Sequence, residues 1–587
     1  MKKITLAVLL LFLIPACGDG PSTTDNSSEW VVGDDDGDSD TGDDGDADGN
    51  DGDADDSDGD GNGDGAICEE DDEAVCSCPD GLEGVQVCAG GEFGDCVCVE
   101  PGMVGVFVAP SGSSENDGLS ADAPLRSLSD AIDQAKADGF DTIYLATGVY
   151  TLDRIIDFPL SIHGGYSVDG DIWTEGGAPS VIEAGDFSAY GDGGIVTTML
   201  IKRSSNPSEE AMLTNLRIRP PETPASFGAS VATLRIHDVE AGGLRIENVR
   251  VQGGTGANGQ VGSNGQNGPS PGALGAGQKG EDGPNFEMSP NMRNSGGAGG
   301  TSSCGGGSGG KGGDALGFNF SSTTNEAGED GQALGVLAGG SGGAGGQTAN
   351  QNTQPGPTAG TDGQPGQRGS RGSHGEAPTD TTGNLDATFR WSANAGSAGA
   401  NGSPGSGGGG GGGGGSEFLN NEQWGGGAGG GGGAGGCGGI GGSAGQPGGA
   451  SMAVILINSH VFFESTVVEA GQGGNGGAGG AGGCGSDGGP GGEKGARSFG
   501  NSRDGGAGGP GGAGGPGGSG PGGQGGPVYG IASVNGIADG SIATALTFSG
   551  FGEAQSAGGA GGNNSSCTDG DQAPNGQVGH SAEQFSF

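Results

Sequence analysis

Two short aspartate clusters near the N-terminus have the spacing of oxygen ligands for a calcium ion. Each cluster reads D-x-D-x-D-G, and together they comprise Asp44, Asp46, Asp48, Asp56, Asp58 and Asp60. Alternating carboxylates of this kind begin a calcium-binding loop, but the glutamate at position twelve and the flanking helices are missing. The pattern therefore predicts either a solvated acidic spacer or weak, multi-site Ca²⁺ binding. No other cofactor is expected.

Ten cysteines are candidates for disulfide bonds. Six lie in a module at 67–100 that has few apolar side chains: Cys68, Cys76, Cys78, Cys88, Cys96 and Cys98. The C-x-C spacing and the lack of histidine in this module favour disulfides over a zinc site, with the connectivity left open. Four more occur in separate glycine-rich tracts, where they are expected to cross-link the tracts: Cys304, Cys437, Cys484 and Cys567.

Two tryptophans stand out within the glycine-rich sequence. They are Trp391 in "FRWSANAG" and Trp424 in "FLNNEQWGG". Aromatic rings with one exposed face can stack on sugar rings, so both are candidates for contact with a glycan. The alternative is that they anchor glycine-rich loops onto the rest of the protein.

Motifs that would indicate catalysis fail on inspection, so no catalytic residue is predicted. The stretch "GGGSGGKGG" at 305–313 contains G-x-S-x-G around Ser308, without the strand–turn–helix setting that a nucleophile elbow requires. It also approaches a phosphate-binding loop at Lys311, but Gly312 occupies the position of the required serine or threonine.

The first residues indicate export. Lys2 and Lys3 precede an apolar run from Ile4 to Ile14, which is too short to span a bilayer and is typical of a signal peptide at 1–16. The sequence "IPAC" ending at Cys17 resembles the lipobox of bacterial lipoproteins. That resemblance implies lipid attachment at Cys17 and a membrane partner through the lipid. It also implies a location at the outer membrane or cell surface.

The formal net charge of −52 excludes one class of partner. Binding of nucleic acid depends on cationic contacts to phosphates, so nucleic acid is not expected. Much of the acidity lies in a segment of Asp and Gly within 17–66, which has too little apolar surface to fold. We expect a disordered, extended stalk there.

The elements that follow predict a solenoid of short strands. A strand near Val106 and Val108 precedes a helix that Ser127 caps and Gly139 ends, with the apolar residues of the helix on one face. The run "GLSADAPLRSLSDAI" at 118–132, followed by "DTIYLATGVYTL", resembles the start of right-handed parallel β-helix proteins of the pectin-lyase type. That resemblance implies an all-β fold in which an N-terminal helix caps the solenoid.

Internal repeats support stacked rungs. The run "LRIENVRVQGG" at 244–254 aligns without gaps to "VFFESTVVEAG" at 461–471, and "LTNLRIR" at 213–219 repeats the first. Glycine tracts follow two of these repeats at the same point. The expected parts are therefore β-helix at 103–252, 451–470 and 528–587, the last with a tail, and glycine-rich insertions at 253–450 and 471–527.

The glycine tracts have a predominant G-G-x unit. A left-handed helix with three residues per turn would place both glycines against neighbouring helices and the third residue outward. Such a sheaf resembles the glycine-rich regions of PE-PGRS-type surface proteins. The alternative is a set of flexible loops.

These features predict a lipid-anchored surface protein with a structural or adhesive role, and a polysaccharide or extracellular matrix as its partner. The alternative is a polysaccharide lyase or hydrolase, because the pectin-lyase type of fold hosts such enzymes. Candidate charged residues on the rungs are Arg217, Arg219, Arg235, Arg245, Arg250, Asp238, Glu240 and Glu247. Since Arg217 and Arg250 are equivalent in successive repeats, we expect a surface ladder rather than an active site.

Overall fold

The structure is a computed structural model, and it describes most of the chain beyond the acidic segment. The described residues are 73–77, 83–94, 96, 103–185, 195–203, 210–284, 293–317, 324–350, 356–388, 390–419, 422–539, 546–552 and 556–587.

The cysteine-rich module contains a small antiparallel sheet. Strands are numbered in chain order, and this sheet comprises β1 (Glu73–Ser77), β2 (Glu83–Ala89) and β3 (Glu92–Phe93). A disulfide joins Cys76 to Cys96, and Cys88 is buried and also disulfide-bonded.

One α-helix lies at the N-terminal end of the main body. Helix α1 (Leu128–Asp138) begins where the Ser127 side chain accepts a hydrogen bond from the N–H of Asp130. It ends at Gly139, whose φ of 81° is favourable only for residues that tolerate the left-handed region. Its apolar face is fully buried, as the spacing of Leu128, Ala131, Ile132 and Ala135 predicts.

The main body is built from three parallel sheets. Sheet 1 comprises β4 (Val106–Val108), β5 (Thr142–Ala146), β8 (Ser161–Asp169), β12 (Ala211–Thr214), β15 (Leu244–Glu247), β25 (His460–Glu464) and β28 (Ile537–Asp539), with β9 (Ile172–Thr174) antiparallel to β8. Sheet 2 comprises β6 (Val149–Leu152), β10 (Ser180–Ala184), β13 (Leu216–Ile218), β16 (Arg250–Gln252), β26 (Thr466–Glu469) and β29 (Leu546–Ser549). Sheet 3 comprises β7 (Ile155–Ile156), β11 (Ile195–Lys202), β14 (Ser230–His237), β24 (Ser451–Ile457), β27 (Val528–Val534) and β30 (Ser581–Ser586).

From β5 onward the chain passes through the three sheets in the same order in each coil. The strands that share a sheet come from successive coils and pair in parallel, which is consistent with a parallel β-helix. The register agrees with the sequence repeats, since Ile246 pairs with Phe463 and Val251 with Val468. The run "TIYLATGVY" contains two strands, because the chain turns from sheet 1 to sheet 2 between Ala146 and Val149.

The core is a set of stacked apolar ladders between the sheets. One ladder in sheet 1 runs through successive coils with every member fully buried: Ile143, Ile162, Leu213, Ile246 and Phe463. The corner between sheets 1 and 2 is also repeated. Asn215, Asn248 and Ser465 all have φ near 50° there, and the side-chain amide of Asn248 donates to Oδ1 of Asn215.

The middle strands of sheet 3, β14, β24 and β27, are buried on both faces. Each residue of β24 is buried, as its continuous apolar sequence would require. The inner face joins the core, whereas Met452, Ile455 and Ile457 belong to a second apolar cluster on the outer face. Leu385 and Trp391 of the hairpin β20 (Asn384–Leu385) and β21 (Trp391–Ser392) pack into that cluster, as do Phe585 and Phe587.

The glycine-rich insertions leave the β-helix-like body at one recurring turn, between sheets 2 and 3. They begin after β16, β26 and β29, and each returns at the first residue of a sheet 3 strand. The exits are stacked, because Gly253 N–H donates to the carbonyl of Glu469 at 2.9 Å and Ala470 N–H donates to that of Ser549 at 2.8 Å.

The described glycine-rich segments form backbone hydrogen bonds with one another. We call this set the glycine sheaf, and it comprises 254–283, 295–314, 325–348, 356–376, 397–416, 425–450, 471–497, 503–526 and 556–579. Small strands occur at its ends: β17 (Arg293–Asn294), β18 (Ala315–Leu316), β19 (Ala349–Asn350), β22 (Glu417–Leu419) and β23 (Glu422–Trp424).

Candidate functional site

One central segment of the glycine sheaf is made of backbone alone. Nine consecutive glycines, 407–415, are all buried. Their N–H groups donate at 2.8–3.1 Å, in a repeat of three residues, to the segments 326–332, 358–364 and 427–433. Their carbonyls accept, in the same repeat, from 306–314, 338–348 and 503–509. The central segment therefore has six bonded neighbours, and each donor along it is satisfied.

Side chains are excluded from this central segment. A Cβ atom built on any glycine from 407 to 415 would lie closer to a neighbouring carbonyl oxygen than real Cβ atoms approach. Glycine is thus required at all three positions of the repeat, whereas G-G-x suffices at the edge of the sheaf, where the third residue points outward. The segments run both parallel and antiparallel, as 471–484 does beside 256–268 and beside 437–449, respectively.

Disulfide bonds join distant parts of the sheaf. Cys304 is bonded to Cys437, and Cys484 is bonded to Cys567. Disulfide bonding itself was expected from the cysteine count, whereas the pairing follows from which segments are neighbours. Cys68, Cys78 and Cys98 lie outside the described residues.

The lipidation and calcium candidates cannot be placed. Cys17 and the six aspartates from Asp44 to Asp60 lie outside the described residues. Within the part of the chain that the structure describes, His, Cys, Asp and Glu nowhere form a group of three or more that could hold a metal ion. Nor does any helix in that part have the length and apolarity needed to cross a membrane.

The two tryptophans have different surroundings. Trp391 packs edge-on against Tyr529 and Phe587, with ring centroids 6.3 and 5.7 Å away, so it anchors its hairpin to the outer face of sheet 3. Trp424 directly precedes the glycine segment 425–450, and its ring centroid lies 5.8 Å from that of Phe499. Trp391 therefore contacts the main body, and part of it also lines a cleft.

That cleft has a volume of about 360 Å³ and lies where the glycine sheaf meets the main body. Its lining is uncharged and consists of Phe227, Gly228, Gln260, Trp391, Ser392, Ala393, Gln446 and Pro447. Phe227 is 68% exposed, and the buried Nε1 of Trp391 has no hydrogen-bond partner among the described residues. Phe227, Gln260 and Gln446 lie apart in the chain, and no sequence motif singles them out.

The rung arginines form cross-coil ion pairs. Arg219 pairs with Glu183, Arg245 with Glu464, and Arg250 with Glu469. Burial raises the pKa of Glu469, but hydrogen bonds from Arg250 and Gln252 outweigh burial and leave the pKa below its ordinary value. Arg250 and Arg217 are register partners, as the repeats predict, and Arg217 donates to Gln252 at 3.2 Å.

Glu247 joins this ladder, since it lies 3.5 Å from Arg245. The other rung candidates lie away from the ladder, and Arg235 is 1% exposed within sheet 3. Asp238 and Glu240 line a charged cleft of about 870 Å³ beside α1. Two other carboxylates of that cleft are paired, Asp133 with Arg154 at 3.0 Å and Asp157 with Lys136 at 2.7 Å. These contacts are typical of a structural ion-pair network.

The fold defines a class, namely a nearly all-β protein of stacked parallel sheets with one helix in its described part. A family described as "Protein of unknown function (DUF1565)", which is of the parallel β-helix type, matches residues 110–265, roughly a quarter of the chain. No curated protein matches, and no solved structure matches. The matched segment covers the first coils and the first residues of the glycine sheaf.

Proposed function

We propose that this protein is a lipid-anchored cell-surface protein with a structural or adhesive role and no catalytic activity. In this proposal the three sheets close into a right-handed parallel β-helix. This β-helix carries a polyglycine-II-like sheaf, and an acidic stalk holds both away from the membrane.

The observation that carries the proposal is the nine-glycine segment with six bonded neighbours. A repeat of three residues agrees with a left-handed helix of three residues per turn, whose backbone groups point to surrounding helices. This segment has neither side chains nor space for a substrate. Its glycine sequence is therefore explained by the rigidity that it gives to the sheaf and by the outer surface that the sheaf presents.

Export and anchoring are supported by separate observations. The resemblance to a lipobox assigns the lipid to Cys17, and disulfide bonds persist in oxidising compartments such as the cell exterior. A single acyl chain holds a protein only marginally, so the several chains of a lipoprotein anchor would be required for stable attachment.

The anchor is tested by labelling cells that express the full chain with radioactive palmitate. We expect the wild-type protein to be labelled and to enter the detergent phase of a Triton X-114 partition. The Cys17→Ser variant should be neither labelled nor partitioned in this way. Equal labelling of the two proteins would overturn lipidation at Cys17.

The absence of catalysis is tested on a polysaccharide panel. We expect the full chain, incubated with neutral and uronate polysaccharides, to release neither reducing ends nor unsaturated products. Release of either product above the level of a heat-inactivated control would replace the proposal with the enzyme alternative.

A further inference from the structure

One edge of the glycine sheaf carries a regular row of uncharged side chains, five of them polar. Segments 256–268 and 437–449 run antiparallel there, and their outward positions meet in pairs. The pairs are Gln260 with Gln446, Ser263 with Ser443, and Gln266 with Ile440. We call these six residues the amide face.

The pairs are fixed by the backbone. Gln446 N–H donates to the carbonyl of Gln260 at 2.8 Å, and Ile440 N–H donates to that of Gln266 at 2.9 Å. Between them the hydroxyl groups of Ser263 and Ser443 lie 3.1 Å apart. Because successive pairs are three residues apart at about 3.1 Å per residue, the face repeats roughly every 9 Å. That length is comparable to a disaccharide unit of an extended beta-linked glycan.

The amide face lacks charge on a chain whose formal charge is −52. Residues 251–278 and 425–459, which contain both of its segments, include no Asp, Glu, Lys or Arg. A charged polymer would find no ion-pair partner among these residues. A neutral polymer rich in hydroxyl groups would find both donors and acceptors, because a side-chain amide supplies both.

An aromatic cleft continues the amide face at one end. Gln260 and Gln446 belong both to the face and to the 360 Å³ cleft that Phe227 and Trp391 line. The exposed ring of Phe227 offers an apolar surface for a pyranose ring, while packing against Tyr529 and Phe587 fixes the orientation of Trp391. Aromatic surface beside planar amides combines the apolar and hydrogen-bonding contacts that a sugar ring requires.

We infer that the amide face and its aromatic cleft bind a neutral, extended polysaccharide chain, lying along the row of paired residues with one sugar against Phe227. The inference rests on the proposed adhesive function and names its partner class and surface. Binding here involves no ion pair, so it should be insensitive to salt.

The test is co-sedimentation of the full chain, in detergent micelles, with microcrystalline cellulose, using polygalacturonate as a charged comparator. We expect cellulose binding that is unchanged between low and high salt. The triple variant Phe227→Ala, Gln260→Ala, Gln446→Ala should bind at least about tenfold more weakly, a difference of about 1.4 kcal/mol. A matched control, Gln364→Ala with Val336→Ala, changes an exposed glutamine and an exposed apolar residue elsewhere on the sheaf and should bind normally.

Three outcomes would overturn the inference: no cellulose binding by the wild type, equal losses in the triple variant and the control, or salt-sensitive binding confined to polygalacturonate. Circular dichroism and non-reducing mass mapping establish that each variant retains its fold and its disulfides. If the wild type is labelled with palmitate but does not bind cellulose, the proposed anchor stands and this inference is overturned. If the wild type binds cellulose but is not labelled, this inference stands and the proposed anchor is overturned.

Discussion

At the scale of single residues, the requirement for glycine differs from position to position. A Cβ atom on Gly411 would collide with the carbonyl of Gly506, whereas a Cβ atom on Gly356 would meet nothing within 4 Å. Both residues lie in glycine-rich sequence, and neither has a positive φ. The contrast is therefore one of space rather than backbone conformation.

The substitution Gly411→Ala should destabilise the protein by about 3 kcal/mol or more, because rigid backbone on all sides cannot move to accept a methyl group. Gly356→Ala should change the free energy of unfolding by less than about 0.5 kcal/mol. Urea denaturation followed by circular dichroism measures both values. Similar values for the two variants would mean that the sheaf is loosely packed.

Among the charged residues of the sheaf whose ion pairs are described, Asp314 is the most buried. Its side chain is 3% exposed, and it contacts Lys311 at 2.9 Å and Arg293 at 3.1 Å. Burial raises the pKa of Asp314, but the Gly296 N–H, Lys311 and Arg293 together outweigh burial and leave the pKa below its ordinary value. The depressed pKa means that Asp314 stabilises the fold at pH values above its unfolded pKa of about 3.9.

Asp314→Asn should therefore cost about 1–3 kcal/mol at neutral pH, because Lys311 loses its carboxylate partner and Arg293 keeps only Glu326. The difference from wild type should shrink as the pH falls through the folded pKa of Asp314, since the wild-type carboxylate is then protonated too. Thermal unfolding across a pH series measures this. An exposed pair supplies the control: Asp282→Asn, which removes a contact to Lys279, should have a smaller effect at every pH.

At the scale of elements, the disulfides hold segments that the sequence places far apart. Cys304 and Cys437 are separated by 133 residues, and Cys484 and Cys567 by 83. Backbone hydrogen bonds bring the same segments together, so each disulfide closes a contact that the sheaf already makes. The bonds therefore act mainly by restricting the unfolded chain.

The double substitution Cys304→Ser, Cys437→Ser should lower the free energy of unfolding by about 2–5 kcal/mol while leaving the secondary structure unchanged. Differential scanning calorimetry under non-reducing conditions measures the loss. Adding a reductant should lower the stability of the wild type to about that of a variant that lacks both sheaf disulfides. A double variant as stable as wild type would show that the unfolded chain is already compact.

In the molecule as a whole, the chain always leaves the main body for the sheaf at the same turn, between sheets 2 and 3. The C-terminal strand β30 extends sheet 3, and Phe585 and Phe587 cover the outer apolar cluster beside Trp391. The end of the chain thus fixes the hairpin β20–β21 that belongs to the first insertion.

Deletion of residues 581–587 should expose this cluster and release the hairpin. We expect faster cleavage by trypsin at Arg390, because its hairpin would lose the aromatic contacts of Trp391. Limited proteolysis with mass spectrometry detects the new fragment. Deletion of residues 1–65, which include the acidic segment, is the control and should leave cleavage at Arg390 unchanged.

Much of the β-helix-like body could be predicted from the sequence. Strand repeats such as Leu244–Glu247 and His460–Glu464 can be aligned from their side chains, because inward positions are apolar and a small polar residue, Asn or Ser, follows at the corner. The strand β30 was not predicted. Its sequence "SAEQFS" has little apolar character, and it is held chiefly by pairing with β27 and by its terminal aromatic residues.

The amino-acid sequence encodes the order of coils, the exits of the first two glycine tracts and the presence of disulfide bonds, because side chains specify each of these; the third exit, after β29, was not predicted. Only the tertiary structure decided which tracts are neighbours, which run antiparallel, which cysteines pair, and that Gln260 meets Gln446 beside Phe227. The physical reason is that glycine has no side chain. One glycine tract fits beside another in many registers, and the anchoring turns of the main body select the one that forms.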